Sequence, residues 1–266
     1  MIDAHAHLTD RRFSADVAEV LERARKAGIE RVLTAGEDVA SSEEALILAA
    51  HHDELRVAVG VHPHRAASWG PGALDRLTEL ARDPRVVAIG EIGMDFSGRS
   101  ALPDVQEAAF RGQLALATLL NLPVVIHVRD AGERVRAILG EGLEVRWMVH
   151  CYSEGSEELP RWLELGLHIS FAGTLTYPGS DRLRAAAALV PADRLLAETD
   201  APYLAPQNAR GRRNEPLYVA ATHAALARER GAEHNEHPGT RLGGWRAGPR
   251  RRRLCRRLQR KCGERS

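Results

Sequence analysis

Eight short apolar, β-branched runs punctuate this chain: MIDAHAHL, RVLTAG, RVAVGV, VVAIGEIG, PVVIHV, VRWMVH, HISFAG and LLAETD. Segments of helical length separate them, at Ser14–Ala27, Ser41–His51, Pro71–Arg82, Asp104–Asn121, Ala131–Gly140, Ser156–Leu165 and Asp181–Leu189. Strands that alternate with helices pair in parallel, because the chain must cross back before the next strand begins. Eight such units within roughly 230 residues predict an α/β fold of the (β/α)8 TIM-barrel type. A doubly wound sheet is the competing arrangement, but the first strand is not followed by a glycine-rich phosphate loop.

The polar residues follow the strands. His5 and His7 close the first run, His62 and His64 follow the third, and Glu91 and Asp95 follow the fourth. His127 and Arg129 close the fifth, His150 the sixth, and Glu198 and Asp200 the eighth. In a barrel these ends converge on one face, where the active site is built. In MIDAHAHL, residues i, i+2 and i+4 share a strand face, so Asp3 is expected one pleat below two parallel imidazoles.

Four imidazoles (His5, His7, His127, His150) and two carboxylates (Glu91, Asp200) at one mouth predict a divalent-metal site. Six ligands exceed what one catalytic ion with an open position uses, so two ions sharing a carboxylate are expected. Such a pair stabilises both the attacking and the leaving oxygen of a displacement and supplies hydroxide near neutral pH. Asp200 then holds or deprotonates the water. Arg129 either grips a substrate phosphate with its planar fork or pairs with Asp130 or Glu133. His62 and His64 either fix the turn around Pro63 or touch substrate. Asp95 is expected near Arg129 or an adjacent loop. Cys151 is read as a small buried residue, and Trp69, Trp147 and Trp162 as packing residues.

The formal net charge of +1 hides an asymmetry. Positions 231–266 carry eleven Lys/Arg against three acids, leaving 26 basic and 33 acidic side chains in the rest. Attraction for a polyanion must therefore be local in the body of the chain. Three cysteines, Cys151, Cys255 and Cys262, form no disulfide framework. With no signal-like opening and no long apolar run, a cytoplasmic protein without membrane contact is expected.

The stretches DAHAHL, VGVHPH, AIGEIGMDF, PVVIHVRDA, VHCYSEG and ETDAPYLAP, followed by RRNEPLYV, stand in an order and spacing that resembles the TatD-like metal-dependent DNases of the amidohydrolase superfamily. The resemblance covers Met1 to about Arg230. It implies a barrel that hydrolyses phosphodiester bonds of DNA, as a 3'-5' exonuclease on single-stranded ends, with two divalent ions (Mg2+, Mn2+ or Zn2+). It implies His5 and His7 on one ion, His127 and His150 on the other, and Glu91 shared. Asp200 and Glu91 are then the catalytic carboxylates. His64 and Arg129 are implied to contact the substrate phosphate, and Glu198 to orient a ligand or loop. Asp3 is read as supporting the ligands rather than binding metal, and Asn214 and Glu215 as loop anchors. Related barrels hydrolyse other bonds, so an esterase or deacylase acting on aminoacyl-tRNA or another small ester or amide is the alternative; a non-catalytic product is the third. A monomer without an obligate protein partner is the default.

Two departures stand out. Phe96 replaces the tyrosine of many members. From Gly231 onward the helical apolar pattern of the family gives way to a basic segment rich in Arg, Gly and Pro. Residues 1–230 are thus expected to form the hydrolase domain. Residues 231–266 are expected to be a frame-shifted product or a disordered basic arm that grips nucleic acid.

Overall fold

The computed structural model describes residues 1–98, 101–142 and 145–231. The expectations for 232–266 fall outside the described residues. Eight strands form one sheet in sequential order: β1 (Ile2–Ala6), β2 (Arg31–Ala35), β3 (Leu55–Val59), β4 (Val86–Asp95), β5 (Val124–Arg129), β6 (Trp147–Val149), β7 (His168–Phe171) and β8 (Leu195–Ala197). Every neighbouring pair is parallel. A parallel bridge from Ala6 to Ala201 closes the ring beyond β8. That closure excludes the doubly wound alternative, whose sheet is open.

The helices are α1 (Val17–Lys26), α2 (Val39–His51), α3 (Pro71–Leu80), α4 (Pro103–Leu120), α5 (Gly132–Leu139), α6 (Leu159–Glu164), α7 (Asp181–Leu189) and α8 (Val219–Glu229). The last lay outside the periodic segments read from the sequence. It completes the outer ring beside α7, burying Val219, Ala225, Leu226 and Ala227. Local sequence fixes several ends: Asp38 and Ser41 form a reciprocal cap on α2, and Pro71 and Pro103 open α3 and α4.

Two apolar clusters follow from alternation. The larger lies between strands and helices and includes Phe13, Leu21, Phe110, Leu114, Trp162 and Phe171. The smaller joins Ala4, Leu33, Ala35, Ala58, Ala88, Val125, Met148 and Leu196. Residues of strands on opposite sides of the ring meet only inside it, so this cluster is the barrel interior. Trp147 and Trp162 are buried and Trp69 packs against the larger cluster, as expected for packing residues.

The interior phase of two strands changes along their length. Ala4 belongs to the inner cluster but Ala6 to the outer, with a register irregularity between Asp3 and Ala6. In β4, Ala88 is inside while Ile92 and Met94 are outside, and the register shifts between Ile89 and Ile92. An irregularity of this kind turns the following side chains to the other face. It is what aims His5, His7, Glu91 and Asp95 into the mouth. The sequence placed Glu91 and Asp95 after the fourth strand. Both lie within β4, which continues to Asp95 because it stays paired with β5 as far as Arg129.

Candidate metal centre

Glu91 sits at the middle of the mouth, almost fully buried, with five imidazoles around it. Its Oε2 is 3.2 Å from Nε2 of both His5 and His7. Its Oε1 is 2.7 Å from His150 Nε2, 2.8 Å from His127 Nδ1 and 3.3 Å from His62 Nε2. Asp200 adds Oδ1 at 3.5 Å from His7 Nε2 and 3.8 Å from His5 Nε2. The two oxygens of Glu91 thus face two different ligand groups. Gly93, at φ 143°, makes the strand pairing behind this possible: a Cβ there would run into the His127 carbonyl.

The donor set itself tests whether cations fit. His5 Nε2 and His7 Nε2 are 3.1 Å apart, and His127 Nδ1 and His150 Nε2 are 3.2 Å apart. Two neutral imidazoles that meet nitrogen to nitrogen need a shared proton or a cation between them. Burial works against charge on His7, His127 and His150. Their carboxylate neighbours (Asp200 and Glu91, Asp95 and Glu91, Glu91 and Glu198, respectively) nonetheless raise all three above the ordinary imidazole range. The same attractions outweigh burial and hold Glu91 and Asp200 below the usual carboxylate range. His5, His7 and Asp200; His5, Glu91 and His150; and His62, Glu91 and His127 each form a group whose ligand atoms lie within 4.8 Å of one another. This donor chemistry suits divalent metal.

Neighbouring residues fix the ligands. His150 Nδ1 donates to Glu198 Oε1 at 3.2 Å, which leaves Nε2 to face Glu91. Asp3 is fully buried and bonds backbone and hydroxyl groups rather than the imidazole rings. Its carboxylate accepts from Thr199 N (2.8 Å), Thr199 Oγ1 (2.6 Å) and His5 N (3.3 Å), tying β1 to the segment that carries Asp200. Burial pushes the Asp3 carboxyl up to about 8, against the lowering effect of Thr199. Asn214 donates to the carbonyls of Thr199 (2.8 Å) and Tyr203 (2.6 Å), and Glu215 pairs with Arg23 and Arg213.

The remaining candidates line the opposite side. His64 Nε2 and His127 Nε2 lie 2.8 and 3.2 Å from Asp95 Oδ2. Asp95 also accepts from Ser97 N and Oγ, so it bonds its loop and two imidazoles rather than the Arg129 side chain. Arg129 is exposed at the end of β5 and has no ion pair among the described residues, so the pairing with Asp130 or Glu133 is not seen. Cys151 is partly buried, and burial pushes its thiol well up, away from nucleophilic chemistry. His62 was the ligand-grade residue that sequence reasoning left as a turn or substrate residue. It does both local tasks, with Nδ1 accepting from His64 N at 3.1 Å while Nε2 faces Glu91. Its position two residues before His64, just past β3, was the available signal. Glu37 was missed altogether; its carboxylate stands 4.0 Å from His7 Nδ1.

A closed parallel barrel with buried imidazoles and carboxylates at the C-terminal mouth has the architecture of metal-dependent hydrolases. The chain belongs to the TatD related DNase family, whose description matches residues 2–237. It is 41% identical over 240 residues to "3'-5' ssDNA/RNA exonuclease TatD" of Klebsiella pneumoniae (strain 342), covering 88% of this chain and 91% of that one. It is 38% identical over 221 residues to "Uncharacterized metal-dependent hydrolase YabD" of Bacillus subtilis (strain 168), covering 82% and 87%. Among solved structures, the YJJV TatD homolog of Escherichia coli K12 superposes with a TM-score of 0.80 at 31% identity, over 86% of this chain and 90% of that one. No helix among the described residues is long and apolar enough to cross a membrane.

Proposed function

We propose that this protein is a divalent-metal-dependent exonuclease that hydrolyses phosphodiester bonds at single-stranded 3' ends. The observation that carries the reading is the convergence of five imidazoles on Glu91 with Asp200 beside them. The relatives named above supply the substrate class. We assign two ions, of Mg2+, Mn2+ or Zn2+: one to His5, His7, Asp200 and Glu91 Oε2, the other to His127, His150 and Glu91 Oε1. His62 stands beside the second group. Bound there, the ions supply positive charge for the phosphate and lower the pKa of water.

The chain's own residues do the rest. Asp200 presents Oδ1 to the mouth and accepts a proton from water as the water oxygen adds to phosphorus; the ester P–O bond breaks with its electron pair on the leaving sugar oxygen, which takes that proton back from Asp200. Arg129 and His64 approach the non-bridging oxygens from the solvent side, with Asp95 steadying His64. Glu198 and Asp3 keep His150 and the β1–β8 seam in place. The catalytic unit is residues 1–230, which contain every side chain of the cluster, so the site is complete within one chain and needs no second copy.

The direct test is an end-labelled single-stranded oligonucleotide with Mg2+ or Mn2+. The expected result is stepwise shortening from the 3' end that stops with chelator and fails in Asp200→Asn. An intact oligonucleotide under every metal, from folded protein, would refute the assignment; cleavage of a misacylated tRNA instead would favour the deacylase.

A further inference from the structure

One exposed aromatic side chain at the mouth is held in place by its surroundings. Tyr203 follows Asp200 by three residues and is 41% exposed. Its ring stands edge-on to His7, with centroids 6.0 Å apart and planes at 78°. The Arg12 guanidinium lies over the ring, 4.2 Å from its centroid. Arg12 is itself locked: its Nε and Nη2 each donate to Asp10 at 2.8 Å. The Tyr203 hydroxyl donates to Asp10 Oδ2 at 3.3 Å. The backbone is pinned as well, with Tyr203 N donating to the Asp200 carbonyl at 2.8 Å and Asn214 Nδ2 to the Tyr203 carbonyl at 2.6 Å.

This arrangement presents part of an aromatic ring to solvent beside the metal cluster, backed by a cation and oriented in advance. A ring held in place while about two-fifths of its surface still faces solvent leaves area that a ligand can cover, so its fixed pose points to a ligand that completes it. A phosphodiester held at the cluster brings a planar base with it, and bases of any sequence stack on such a ring. Among the described residues the tryptophans offer no alternative, because Trp147 and Trp162 are buried and Trp69 packs against the core.

We propose that Tyr203, held by Arg12 and Asp10, is the platform on which the nucleobase beside the scissile phosphate stacks. The assignment rests on the phosphodiesterase reading above and adds what recognises the nucleoside. A stacking platform reads no sequence, because every base offers a π-face.

The test compares oligonucleotides carrying a normal or an abasic residue at the terminal or penultimate position, in the metal-loaded protein. Binding by fluorescence anisotropy and cleavage are read side by side. For the wild type, one abasic position should weaken binding and raise KM about tenfold, with kcat little changed. Tyr203→Leu should lose about the same factor on the normal substrate and no longer distinguish it from the abasic one. Tyr203→Phe, which keeps the ring, should restore the discrimination; thermal melting checks that both variants fold. If Tyr203→Leu still discriminates as the wild type does, the platform is wrong. Discrimination in binding without any cleavage would overturn the nuclease reading but leave the platform standing. Absence of both overturns both.

Discussion

The two flanks of the mouth are built differently. On the β1–β8 side, His5, His7 and Asp200 are buried and their backbones are stitched together. His7 N donates to the Ala201 carbonyl at 2.6 Å and Asp200 N to the His5 carbonyl at 2.9 Å. Asp3, Thr199 and Asn214 extend the stitching beneath them. On the β3–β5 side, His64 and Arg129 are exposed, and Asp95 is the carboxylate that anchors the His64 ring. Rigid burial suits ligands that must keep a fixed geometry around a cation. Exposed cationic or hydrogen-bonding side chains suit a phosphate that arrives from solvent and leaves again. Ligand groups reach into both flanks; what differs is that the β3–β5 side also carries an exposed rim suited to substrate.

Four experiments would break or sharpen that contrast. The largest effect is expected for Asp200→Asn, which should lower kcat by about 10²–10⁴-fold as the proton acceptor is lost; a near-wild-type rate would remove Asp200 from the chemistry. Next, Asp3→Ala should cost about 2–3 kcal/mol in urea unfolding, because it strands the buried Thr199 donors. An unchanged midpoint would mean the β1–β8 flank is not held by this contact. Glu198→Gln should weaken metal binding about 10–100-fold by calorimetric titration, by loosening His150. The smallest effect is expected on the open flank. Arg129→Ala should raise KM for oligonucleotide about tenfold and flatten its salt dependence while leaving the melting temperature in place. A large loss of stability there would make the two flanks alike.

Much of this was legible in the residues. Alternating apolar runs and helical segments specify parallel pairing, and the polar residues at the run ends mark one face before any coordinates exist. The helix α8 was harder to read. Its sequence VAATHAALARE places His223 and Thr222 among the buried positions, which blurs a periodic apolar stripe. His62 was ambiguous for a different reason: a histidine before Pro63 has an adequate local role in the turn, and only its distance from Glu91 reveals the second one. Glu37 had no signal, since nothing near it in sequence marks it as a neighbour of His7.

The sequence by itself determined the architecture and which side chains gather at the mouth, because strand–helix alternation and residue chemistry are local properties. It did not determine their aim. Strict alternation from Ala4 and Ala88 would turn His5, His7, Glu91 and Asp95 away from the interior. The register irregularities in β1 and β4 reverse that, and they arise from how each strand pairs with its neighbours around a closed ring. Closure also brings Thr199 onto Asp3 and Arg12 onto Tyr203, contacts between residues nearly two hundred positions apart. Only the tertiary structure places such residues side by side.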